Sequence, residues 1–235
     1  MGKHADVLRL SKQVTTPSET KPRDKDWDVV AREETKLVQR LFLLPGQHAP
    51  RVVVFAGVEH ENGCSTICAR AAEALSAHVS GSVCLVDADL RSPVVHQRFG
   101  VENLRGLTET VLQSGPIRNF AQRYLGSNLW LLTGGFHVVE PRLLLTSDGL
   151  RSRIVELRSE FNHVLIDVAP INDYSDAVQL GQLTDGVVLV VEANVTRRQA
   201  IQKAKETLEA ANVRLLGAVL NKRTFPIPER LYRRV

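Results

Sequence analysis

Val52-Val53-Val54-Phe55-Ala56-Gly57-Val58-Glu59-His60-Glu61-Asn62-Gly63-Cys64-Ser65-Thr66 opens on an unbroken apolar run and closes on Gly-x-Ser-Thr. The run Val52–Phe55 is of strand length. Without polar alternation, it suits a parallel strand buried on both faces. A helical pattern, Ser65–Ala77, follows it. Strand, loop, Gly-x-Ser-Thr and helix together form the setting of a phosphate-binding loop. There backbone N–H groups and the helix dipole hold an anion, and a hydroxyl reaches magnesium. Two positions depart from that motif: Val58 stands where its first glycine belongs, and Cys64 where its lysine belongs. Read as a plain strand–helix turn, the same stretch uses Ser65 as a helix N-cap.

The rest of the chain repeats the alternation. Further strands are expected at Val83–Asp87, Leu129–Leu132, Val164–Asp167, Val187–Val191 and Leu215–Leu220, with the first extending over Arg51–Ala56. Helices are expected at Gly149–Glu160, Ser175–Leu183 and Arg197–Ala210, and an amphipathic one at Val29–Leu44 stops before Pro45-Gly46. Strand–helix–strand order implies an α/β fold. It is expected to be doubly wound, with a mostly parallel sheet flanked by helices in the manner of P-loop NTPases, in a single domain over residues 29–221. A length of 235 residues with 43% hydrophobic content can bury such a core. No apolar run reaches membrane-spanning length, and the polar start carries no signal-peptide core, so a cytoplasmic location is expected. Cys64, Cys68 and Cys84 form neither a disulfide framework nor a paired metal spacing.

Charge is unevenly placed. Lys and Arg number 30 against 26 Asp and Glu, a surplus of +4. Residues 1–26 hold six basic and four acidic side chains, and 222–235 hold five and one. The 19 basic and 21 acidic groups between them leave a slightly acidic body. A flexible polar arm over 1–28 and a basic tail over 222–235 are therefore expected, and no nucleic-acid-binding face on the domain.

Ligands of such folds bind at the carboxyl ends of the strands. There Leu85-Val86-Asp87-Ala88-Asp89-Leu90-Arg91 sets two carboxylates at alternate positions, and Leu165-Ile166-Asp167-Val168-Ala169-Pro170 sets a third. With Ser65, these aspartates form a candidate set of oxygen ligands for a hydrated magnesium ion. Any one of them, taken singly, also reads as a strand-end turn former.

These motifs resemble the cytoplasmic kinase domain of the bacterial tyrosine kinases of capsule and exopolysaccharide synthesis, within the wider Min/Par-type P-loop ATPases. The resemblance rests on Asp87-Ala88-Asp89-Leu90-Arg91, Gly106-Leu107 with Leu112, Gly134-Gly135, Pro141-Arg142-Leu143-Leu144-Leu145, Ile166–Pro170 with Ser175-Asp176-Ala177, and Gly217-Ala218-Val219-Leu220-Asn221. It runs from about Glu33 to Asn221. It implies ATP or ADP with Mg2+ as cofactors, held by Gly63, Cys64, Ser65 and Thr66, with Asn221 at the adenine edge. It further implies that Asp87 and Asp89 would be the catalytic carboxylates, and that Ser65, Asp87, Asp89 and Asp167 would be the metal side. The partner it implies is a membrane-embedded polysaccharide co-polymerase or export component, which would bring the chain to the inner face of the plasma membrane.

The departures matter as much. Where the family reads Pro-Gly-Glu-Gly-Lys-Ser-Thr, this chain reads His60-Glu61-Asn62-Gly63-Cys64-Ser65-Thr66. Losing the lysine removes a charge-assisted hydrogen bond of roughly 1.5–3 kcal/mol, about 10- to 150-fold in affinity. Glu61 replaces a glycine free to take positive φ, and Glu59 with Glu61 makes the loop acidic. His60 and Arg70 are candidates to offset the lost charge. The Cys64 thiol, at a helix start, reads either as a reactive group or as a small buried replacement. The ring-closing Glu-x-x-Arg-x-x-Arg of the family is Glu33, Lys36 and Gln39 here, a weakened contact for homo-oligomerisation. The tail has a single tyrosine, Tyr232, where the family has a cluster. The expectation is a tyrosine-kinase-like protein of exopolysaccharide work with weak or lost turnover, acting by docking. The alternatives are an active ATP-dependent tyrosine kinase or ATPase, and a Min/Par-type positioning ATPase.

Overall fold

The computed structural model describes residues 33–43, 49–136 and 140–223. The expected arm, the two ends of the helix expected at Val29–Leu44, Tyr232 and the tail beyond residue 223 lie outside them. Seven strands form one sheet in the order β3-β4-β2-β5-β1-β6-β7. They are β1 (Val52–Gly57), β2 (Val83–Asp87), β3 (Gln122–Arg123), β4 (Leu129–Leu132), β5 (His163–Val168), β6 (Gly186–Glu192) and β7 (Leu215–Asn221). All neighbouring pairs are parallel except β3 against β4. The expected doubly wound α/β architecture is the one observed.

β1 is central because its side chains have apolar partners on both faces. Val52, Val54 and Ala56 pack into one half of the core, and Val53 and Phe55 into the other, all fully buried. Each large apolar side chain so buried stabilises the fold by roughly 1.5–3 kcal/mol. One face is covered by α1, whose residues 33–38 continue as a wider turn over Gln39–Leu43, and by α2 (Cys64–His78). Val38 and Phe42 of α1 join Cys68, Ala72 and Leu75 of α2 there. The other face carries α6 (Asp148–Glu160) and α8 (Arg198–Ala210), through Leu150, Ile154 and Leu157 and through Ala204 and Leu208.

Shorter helices were not resolved as such by the sequence pattern: α3 (Val95–Phe99), α4 (Leu107–Leu112) and α5 (Pro141–Leu145). The expected helix at Ser175–Leu183 is the shorter α7 (Asp176–Gly181). β3 is two residues long, too short to carry a periodicity.

The order positions the site. From β1 the chain moves outward to β2 on one side, leaving room between them that β5 fills later, while β6 takes the other side. β1, β2 and β5 thus end side by side, with Asp87 in register with Asp167 and Phe55 in register with Asp167. This is the crevice at which open α/β sheets bind ligands.

Candidate nucleotide-binding cleft

A cleft of about 230 Å³ lies at these strand ends, lined by the loop from Glu59 to Thr66 with Gly57, Asp89, Val168 and Pro170. The loop is shaped by two left-handed residues, Glu61 at φ 60° and Gly63 at φ 81°. Glycine is at ease there; glutamate is not, by roughly 1–2 kcal/mol. α2 begins at Cys64 with Gly63 as its N-cap, so Ser65 lies inside the first turn and is not the cap.

Asn62 holds the loop from within. It is buried, and its amide Nδ2 donates to the Val190 carbonyl at 3.0 Å while Oδ1 accepts from the Cys64 N–H at 3.1 Å. One of the helix-start N–H groups that an anion would use is thereby already satisfied. The end of β7 holds the loop from above. Asn221 Nδ2 donates to the Asn62 carbonyl at 2.8 Å, and Lys222 Nζ donates to the Glu61 carbonyl at 2.6 Å. Asn221 therefore braces the loop through its amide nitrogen. Asn62 and Lys222 hold the loop in ways the sequence pattern does not show. Lys222 was counted with the basic tail on charge alone.

The carboxylates divide into a pair and an outlier. Asp87 and Asp167 are both fully buried. Asp87 Oδ2 accepts from the N–H groups of Val94 and Val95, each at 2.9 Å, while its Oδ1 has no partner. Neither oxygen of Asp167 meets a donor at full hydrogen-bond geometry, although the Ser65 hydroxyl and Cys64 thiol lie beside it. Burial, with Asp87 adding repulsion, pushes Asp167 up to about 8; the adjacent Ser65 and Cys64 side chains only partly offset this. Burial likewise pushes Asp87 up to about 7, against the two N–H donors. Asp89 lines the cleft, but its Oδ1 accepts from the N–H groups of Arg91 and Ser92 at 3.2 Å, a strand-end turn. Among the described residues no three His, Cys, Asp or Glu side chains converge to hold a metal ion. A magnesium ion keeps most of its waters and needs only one or two carboxylates. The buried carboxylate oxygens of Asp87 and Asp167 left without full hydrogen bonds, beside the Ser65 hydroxyl, fit that requirement.

No thiolate stands in for the missing lysine. Cys64 and Cys68 are buried, and burial with the adjacent Asp167 raises both thiols well above the ordinary range. The helix dipole does not prevail over desolvation here, so Cys64 is the small buried replacement. Of the two candidate offsetting cations, Arg70 is turned to Glu34 of α1 at 3.3 Å. His60 stays on the loop, 3.4 Å from Asp173. Arg91 is bound to Asp176 and stacks over Tyr174 at 4.1 Å. Glu33 and Lys36 of α1 pair with each other at 2.6 Å on the exposed face of that helix.

A parallel sheet with a glycine-turned loop into a central helix, facing two buried strand-end aspartates, defines a P-loop NTPase-like protein. More narrowly, the chain is similar in sequence to bacterial tyrosine-protein kinases. It is 37% identical over 139 residues to the tyrosine-protein kinase YwqD of Bacillus subtilis, a match covering 59% of this chain and 59% of that protein. It is 24% identical to the putative tyrosine-protein kinase CapB of Staphylococcus aureus, over 91% of this chain and 93% of that one. Among solved structures, the chimerical protein CapA2B2 superposes with a TM-score of 0.77 at 28% identity, covering 83% of this chain and 85% of that one. The kinase domain of Escherichia coli tyrosine kinase ETK shares the fold, with a TM-score of 0.79 at 22% identity, over 92% and 88% of the two chains. No protein-family model matches the chain.

Proposed function

We propose that this protein is a tyrosine-kinase-like component of capsule or exopolysaccharide synthesis that binds nucleotide weakly, turns it over poorly or not at all, and acts by docking on a membrane polysaccharide co-polymerase. The observation that carries the reading is the loop's chemistry. A buried neutral thiol occupies the lysine position, two glutamates precede it in the loop, and a helix-start N–H is taken by Asn62. Phosphoryl transfer is catalysed almost wholly by positioning and charge stabilisation, and this loop is short of both.

The metal side supports residual binding. Asp87, Asp167 and Ser65 would hold magnesium, whose positive charge would offset the negative charge of a nucleotide's phosphates. Gly63, Ser65 and Thr66 would present backbone and hydroxyl donors, and Asn221 would meet the base. Asp87, with its free Oδ1, is better placed as base or metal ligand than Asp89. The co-polymerase partner and the inner-membrane-face location follow from the family resemblance. Among the described residues no helix is long and apolar enough to cross a membrane.

The preserved aspartate pair favours a second reading, an active kinase with a substitute cation. Calorimetric titration with Mg2+ and ATP or ADP, beside a Cys64→Lys variant, separates the two. Binding and turnover that rise at least tenfold in Cys64→Lys support the proposal; tight binding with measurable tyrosine phosphorylation by the unaltered protein overturns it.

A further inference from the structure

The cations around the cleft are for the most part committed elsewhere: Arg70 to Glu34, Arg91 to Asp176. Arg98 touches the Thr66 hydroxyl at 3.4 Å as an exposed side chain and lies in the field of Glu34. Lys222 differs in what it reaches: its ammonium contacts the loop backbone at the positive-φ residue Glu61. It donates to the Glu61 carbonyl at 2.6 Å and meets the Glu192 carboxylate at 2.9 Å. A Cβ placed on Gly63 would lie 4.0 Å from Lys222 Cε, so the aliphatic stem lies beside the N-cap of α2. The backbone takes a left-handed turn at φ 54° immediately after β7, which directs the side chain there. An ammonium has three donors, and these two contacts use two of them.

We propose that Lys222 supplies the positive charge that Cys64 removed from the phosphate loop, so that the cleft retains affinity for a magnesium nucleoside diphosphate or triphosphate. This rests on the nucleotide-cleft reading above and deepens it. The ammonium enters on the carbonyl side of Glu61, not at the start of α2 where the missing lysine would stand. It offsets the repulsion of Glu59 and Glu61 toward a polyphosphate without restoring the contact that phosphoryl transfer needs. Binding then outlasts turnover. Glu192, largely shielded from solvent, fixes the ammonium in place and takes up part of its charge.

A double-mutant cycle tests the substitution, read by fluorescence titration with a labelled ADP and Mg2+. Lys222→Gln keeps a donor for the Glu61 carbonyl and loses only the charge; Lys222→Met loses both. In the otherwise unaltered protein each should weaken binding about five- to tenfold, from the loss of a charged contact partly screened by water. With Cys64→Lys present the same changes should cost less than about twofold, because the two cations serve one role. Lys222→Arg should retain most of the affinity. Glu192→Gln should leave binding unchanged or tighter.

An equal loss from Lys222→Met in both backgrounds, with Lys222→Gln harmless, would show a brace and overturn the proposal. So would an unaltered protein that binds nothing while Cys64→Lys binds; that result would leave the weakened-loop reading standing. If neither binds, the nucleotide-cleft reading fails along with the proposal.

Discussion

Glu61 offers the sharpest separation of backbone from charge. Its φ of 60° places a glutamate in a conformation that costs a non-glycine residue roughly 1 kcal/mol. Its carboxylate adds a like charge at the mouth of a cleft read here as a polyphosphate site. The contacts that hold the residue run through its carbonyl oxygen, to Lys222 Nζ, so changing the side chain leaves them in place. Glu61→Gly should therefore stabilise the fold by about 1 kcal/mol, which for a chain of this length raises Tm by about 2–4 °C. Glu61→Gln keeps the strained backbone and should leave Tm unchanged within about a degree. Both remove the charge, so both should tighten binding of a labelled ADP by about fivefold, taking roughly 1 kcal/mol for a partly screened like-charge contact. Scanning calorimetry and fluorescence titration on the three proteins read the two effects independently. A Tm that falls in Glu61→Gly, or rises equally in both variants, would refute the strain argument; unchanged affinity in both would refute the electrostatic one.

The buried pair predicts an unusual pH response. Asp87 and Asp167 are raised to about 7 and about 8, so their folded forms prefer the proton. The stability they contribute is complete below the ordinary carboxylate range near 4 and is lost as pH rises through 7 to 8. Melting between pH 5 and 8.5 in chelator should show Tm falling over that window, and millimolar Mg2+ should raise Tm more at pH 8.5 than at pH 6. A Tm independent of pH and of Mg2+ would contradict the pairing. Asn62→Ala removes two hydrogen bonds and the amide that packs on Gly57, and should cost about 2 kcal/mol, or about 4–8 °C in Tm. Gly63→Ala would put a Cβ 2.4 Å from Asn221 Nδ2 at φ 81°, so a loss of at least about 1 kcal/mol is expected, with faster hydrogen exchange at the end of β7. A Gly63→Ala protein as stable as the parent would show that the loop does not need this shape.

Much of the fold was legible because it rests on local pattern. β2 and β4 fall where their apolar runs place them, Val83–Asp87 and Leu129–Leu132, and the other main strands differ by one or two residues. β3, α3, α4 and α5 were not separately legible, since two to six residues do not complete a period that can be told from chance. The aspartates were legible as strand-end residues, but their division was not. Asp87 and Asp167 meet because β2 and β5 pair in register, whereas Asp89 is one turn further on and spends its carboxylate on local N–H groups.

The sequence by itself determined the class of fold and pointed to the strand ends where the candidate site lies. Apolar runs, glycine spacing and the identity of residue 64 are local facts, and short-range physics reads them directly. Only the tertiary structure decided which distant residues hold the loop. Asn62 meets Val190 across 128 residues, and Lys222 meets Glu61 across 161. Those contacts exist because β6 pairs with β1 and β7 with β6, and all three run parallel to end on the same side. The charge of a lysine can be counted from sequence, but where it acts is set by strand order. Here that order carries one lysine, counted first as part of a tail, onto the loop that lost its own.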